Sequence, residues 1–116
     1  MEFDRYTIAL LRTPPDAPQL DAAAATAMQS RHLAHLASLH DAGHLLAAGP
    51  LRDPAGDLRG LSILGVEPEQ ALELKRSDPS VQAGVFTVQA VPWLLPAGLI
   101  SFTPGFMPRS VADVTG

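Results

Sequence analysis

Four histidines, His32, His35, His40 and His44, lie within 13 positions of one another, and an Asp-Pro pair, Asp78-Pro79, follows much later in the chain. Imidazole titrates near neutral pH, so a histidine cluster suggests either metal ligation or proton transfer. Metal ligation is the weaker reading. His32/His35 and His40/His44 point differently on a helical wheel, and Gly43 separates the second pair. There is no cysteine, and a site built on histidine alone would need a further carboxylate that the spacing does not fix. His32 stands apart because it falls inside the apolar stripe formed by Ala25, Met28, Leu36 and Leu39. It is either a core histidine satisfied by one hydrogen bond or a general acid or base beside a pocket. His35 and His40 read as solvated edges of the same helix, and His40 also suits the negative end of the helix dipole. His44 opens the strand after it.

Asp78 follows Leu74 by four residues and Ala71 by seven, so it projects from the apolar face of a helix. It also falls at the end of that helix, where the dipole disfavours an anion. A carboxylate in such a place needs a partner, unless it is simply the turn residue of an Asp-Pro stop. Ser80 reads as a loop serine at the helix exit. Asp53 and Asp57, with Gly56 between them, read as a hairpin turn, the alternative being a pocket carboxylate at the strand edge. Gly49-Pro50 at a strand end suggests close backbone approach at a pocket rim. No phosphate-binding glycine loop is present.

The elements that must position these residues are legible from periodicity and punctuation. Phe3 to Arg12 alternates as a strand, with Tyr6, Ile8 and Leu10 on one face. Thr13-Pro14-Pro15 ends it. A helix is expected from Asp21 to Ala42, with Asp21 as cap, Ala22 to Ala25 as a strong start and Gly43 as terminator. Strands follow at His44 to Leu51 and Leu58 to Val66. A second helix over Pro68 to Ser77 has proline at its first position. Val85 to Val91 is the last strand expected. Residues 1–93 are thus expected to form one α+β domain, and 94–116 an irregular C-terminal extension.

The order β-α-β-β-α-β is the ferredoxin-like arrangement: a four-stranded antiparallel sheet with two helices on one face. The strands are apolar on both faces, so the bare face is expected to meet that of a second copy in a homodimer. The competing expectation is that the chain's own tail covers it.

Composition limits the partners. Eight Lys and Arg against 12 Asp and Glu give a net charge of −4, with no basic cluster to hold nucleic acid. The uncharged stretch from Val81 to Met107 is broken by Gln89, Pro92, Pro96 and Pro104, so no membrane span is expected. Met1-Glu2-Phe3-Asp4-Arg5 lacks the pattern of a signal peptide. With no disulfide framework either, a cytoplasmic protein is expected.

Several segments resemble the YciI-like (YCII-related) domain family: His32-Leu33-Ala34-His35-Leu36, Gly43 to Leu51 (GHLLAAGPL), Gly60-Leu61-Ser62-Ile63, Asp78 to Phe86 (DPSVQAGVF) and Val91-Pro92-Trp93. The resemblance runs from about Phe3 to Trp93. It implies a ferredoxin-like dimeric α+β barrel, with His32 and Asp78 as an active-site pair. One related branch includes a dehydrochlorinase of chlorinated hydroxyhydroquinones, a lyase-type reaction without cofactor. The wider superfamily includes muconolactone isomerase and cofactor-independent monooxygenases. The chain departs from the family at Ser30-Arg31, where many relatives have Pro-Ala, and in its longer tail.

The expectation is therefore a small-molecule enzyme of lyase or isomerase type, without cofactor or metal. His32 and Asp78 would be catalytic, and Tyr6, Gly49 and Pro50 would line the substrate pocket. The alternative is a non-catalytic dimer that binds a metabolite or another protein.

Overall fold

The computed structural model describes residues 1–116. The elements are β1 (Phe3–Arg12), α1 (Ala22–Asp41), β2 (Leu45–Pro50), β3 (Leu58–Leu64), α2 (Pro68–Arg76), α3 (Pro79–Gln82), β4 (Thr87–Pro96) and α4 (Val111–Thr115). The strands form one antiparallel sheet in the order β2-β3-β1-β4. This is the expected ferredoxin-like α+β fold.

Strand alternation separates the two faces of the sheet. Thr7, Ala9 and Leu11 of β1 pair with Leu64, Ser62 and Gly60 of β3, and all six are buried. The core on this side joins Ala9, Leu45 and Leu64 to Leu33, Leu36 and Leu39 of α1 and Ala71 of α2. The opposite face carries Tyr6, Ile8, Leu10, Leu61, Ile63, Val91 and Trp93, all only partly buried.

Helix ends follow their local chemistry. Asp21 Oδ1 accepts the Ala24 amide at 2.7 Å, which satisfies one of the free amides of the first turn of α1. At the other end Gly43 takes φ +82°, with Gly43 N bonded to His40 O and His44 N to Leu39 O. That paired closure needs a residue free of a Cβ penalty. The second helix ends within one residue of its expected limit. It stops at Arg76, and Asp78 caps a new turn, α3. The carboxylate therefore faces the amide end of α3, a favourable setting rather than the unfavourable dipole end expected for it.

β4 extends to Pro96, beyond the expected Val91 and beyond Trp93, because β1 offers ten residues to pair with, from Phe3↔Pro96 to Arg12↔Thr87. Pro92 and Pro96 are tolerated because β4 is an edge strand.

The following segment makes specific contacts. Ala97 N bonds to Glu2 O and Gly98 N to Asp4 Oδ2. Phe102 packs edge-on against Tyr6, with centroids 5.3 Å apart. The chain then reaches α1: His40 Nε2 lies 2.6 Å from Pro104 O, Arg109 pairs with Asp41, and Val111 N bonds to Ser30 Oγ. It ends in the α4 turn, so the extension is not irregular throughout. No helix is long and apolar enough to cross a membrane.

Candidate active site

The docking of α3 on α1 brings together two residues 46 positions apart. His32 Nδ1 lies 2.6 Å from Asp78 Oδ2, with His32 7% and Asp78 0% exposed. Asp78 Oδ1 accepts the Ser80 hydroxyl at 2.7 Å and the Ser80 amide at 2.9 Å. Burial pushes the Asp78 carboxyl up. The hydrogen bond and charge of His32, with the two Ser80 bonds, more than reverse this and hold it below its ordinary 3.8. An ionised carboxylate has no proton to give, so Nδ1 carries the hydrogen and donates it. Nε2 makes no hydrogen bond within the protein. The Phe86 ring meets the imidazole edge to face, centroids 5.8 Å apart.

His32 lines a cavity of about 600 Å³. Its walls come from Leu11, Leu33, Leu36 and Phe86, with Phe106 and Met107 from the tail. Gln29, Arg59 and Ser62 add polar groups. A small organic molecule fits such a volume and such a mainly apolar lining.

Gly49 and Pro50 lie on this wall. Tyr6 does not. It lies on the opposite face of the sheet, between Trp93 and Phe102, because strand alternation turns it away from Thr7 and the helices. Asp53 accepts the amides of Ala55 and Leu58 and so serves the hairpin turn. The four histidines form no group with carboxylates that could hold a metal ion.

His35 and His40 are not the solvated edges expected. His40 is engaged by the tail carbonyl of Pro104. His35 is half-buried, and its Nδ1 is enclosed without a partner. Burial lowers the His35 pKa. Asp78 pulls the other way, while Lys75 and His32 add to the lowering.

Three polar residues of this region escaped sequence reasoning. Ser80, read as a loop serine, is buried and bonded to Asp78. Lys75 is wholly buried, and its Nζ donates to Ser62 Oγ at 2.8 Å. Burial brings its pKa from 10.5 to about 8, against the opposing pull of Asp78. The signal for Lys75 was its place four residues after Ala71 on the inward face of α2. For Ser62 it was a small polar residue inside an apolar strand.

A family model described as the YCII-related domain matches residues 8–94. No curated protein matches the chain. Among solved structures, a similar one is 5-chloro-2-hydroxyhydroquinone dehydrochlorinase (TftG) from Burkholderia phenoliruptrix AC1100, in complex with 2,5-dihydroxybenzoquinone. The two chains are 19% identical, with a TM-score of 0.50 over 76% of this chain and 92% of that one. The likeness is one of fold.

Proposed function

The chain belongs to the YCII-related domain family, and from that premise we propose that it is a small-molecule enzyme doing cofactor-free acid–base chemistry of the lyase or isomerase type. His32 is the proton-transfer group and Asp78 its orienting partner. One observation carries the reading: Nδ1 is pinned at 2.6 Å by a fully buried carboxylate, while Nε2 is left unpaired on a residue that lines an apolar cavity.

Nε2 takes a proton from the substrate, and the buried carboxylate stabilises the resulting imidazolium. In an elimination, the electron pair of the broken C–H bond becomes the new π bond, and the leaving group departs with its own pair. In an isomerisation, Nε2 returns the proton to a different atom. The activity in the name of the similar dehydrochlorinase supports the lyase side of this reading.

The test is turnover of halogenated, hydroxylated ring compounds, followed by halide release. His32→Ala should abolish turnover and change stability by less than about 2 kcal/mol. A folded variant that still turns over sinks the reading.

The second reading, a binding or interaction module, draws on the partly exposed apolar sheet face. That face also supports a homodimer, with a second copy laid against it. The two readings separate at His32: a binding module keeps its ligand affinity in the Ala variant and shows no turnover in either form.

A further inference from the structure

Lys75 is the largest fully buried side chain of the protein. A lysine with no exposure is rare, because removing an ammonium from water is costly unless it is well paired. Here the pairing is sparse: Nζ has a single hydrogen-bond partner, Ser62 Oγ. The carboxylate of Asp78 acts on Lys75 through space, not through a bond. His35 is a further titratable group near it. Nothing in the packing of α2 requires a cation at this place, since Ala71 occupies the same helix face one turn earlier.

Ser62 supplies the other half of the argument. It pairs with Ala9 on one side and Ala48 on the other, two small residues that leave room above it for the lysine and the cavity. Its Oγ accepts from Lys75, so its own hydroxyl hydrogen is free, and no protein acceptor receives it. Ser62 is one of the residues lining the cavity that also holds His32.

We propose that Ser62, backed by Lys75, forms an oxyanion subsite in this cavity, so that its ligands are ring compounds bearing a phenol, enol or carbonyl oxygen. Removing a proton from such a compound leaves negative charge on that oxygen. A fixed donor with a buried cation behind it stabilises that charge more than it stabilises the neutral form. Lys75 acts through Ser62 and is a positioning residue. The lowered pKa of the lysine fits a cation still waiting for its counter-charge.

The inference deepens the acid–base reading and rests on it for the reaction, but its test does not use turnover. The probe is 4-nitrophenol, whose phenolate is yellow and whose phenol is not. Binding to the unmodified protein should raise the phenolate-to-phenol ratio about tenfold at fixed pH. Ser62→Ala and Lys75→Met should lose that shift, and Ser62→Thr, which keeps the hydroxyl, should retain it. His32→Gln separates the two ideas, because a shift that survives there belongs to Ser62 and Lys75, whatever becomes of turnover. No shift with the unmodified protein, or an undiminished shift in folded Ser62→Ala, overturns the subsite.

Discussion

Asp78 uses both oxygens of one carboxylate, Oδ1 for Ser80 and Oδ2 for His32, so its removal disturbs a turn and an imidazole together. Its pKa is lower folded than unfolded. Its contribution to stability is therefore complete above the ordinary value of 3.8 and is lost as pH falls through the folded value. Thermal melts followed by circular dichroism from pH 7 to 2 should show an acid limb for the unmodified protein that is flatter in Asp78→Asn. Lys75 runs the other way. Its folded pKa of about 8 lies below 10.5, so the unfolded chain binds more protons between those values and stability rises with pH across that window. Lys75→Met should stabilise the fold by about 3 kcal/mol at pH 7, from a shift worth about 1.4 kcal/mol per unit. The gain should fade above pH 8, and denaturant melts at pH 7 and 10 check it. His32 could be singled out in the sequence because it sits on an apolar helix face, and Asp78 because the helical spacing pointed it inward, although it caps α3 instead. Their contact could not, since it depends on how α3 docks on α1. Lys75 escaped because a charged residue in an exposed-looking helix is ordinarily solvated.

Among the elements, those with local punctuation were the legible ones. β1 has its expected limits, and α1 falls within one residue of them because Asp21 and Gly43 close its two ends with bonds of their own. β4 runs past its expected end through Pro92 and Pro96, whose tolerance depends on an edge position that only the sheet order reveals. The tail carried no periodicity, yet it is fastened at Asp4, His40, Asp41 and Ser30. The Arg109–Asp41 pair is more than half exposed at both ends, so solvent screens it. Arg109→Ala should change stability by less than about 1 kcal/mol. Met107 packs against the core and lines the cavity, so Met107→Ala should cost about 1–2 kcal/mol and also weaken ligand binding. Paired denaturant melts and titrations of the two variants test that contrast.

At the scale of the whole molecule, the radius of gyration is 14.6 Å and the extents are 51 × 31 × 27 Å. A compact domain of this length would have a radius near 13 Å. The excess accompanies a sheet with helices on one side only, where the tail meets the other side through Phe102 and Tyr6. Ile8, Leu10, Leu61 and Ile63 are left partly exposed in adjoining strands. If a second copy covers this face, Ile8→Glu should give a monomer in sedimentation analysis. The His32–Asp78 pair should survive, because it lies on the helix side. Apolar residues on both strand faces pointed to this surface from the sequence. What covers it could not be read there, because burial by a neighbouring copy and burial by a tail leave the same pattern in a strand.

The position of β1 at the centre of the sheet has a kinetic consequence. Its ladder with β4 joins Phe3 to Pro96, so one of the two partners of the central strand lies almost a whole domain away in sequence. Closing so long a loop is slow, and contacts of that span are gained late in folding. The β2–β3 hairpin needs only a short closure and can form first. Val91→Ala in β4 should therefore speed unfolding far more than it slows refolding, while Leu64→Ala in the hairpin should slow refolding as well. Until the last ladder closes, β1 has one edge unpaired, and this is the interval in which the chain is most exposed to strand addition by its neighbours.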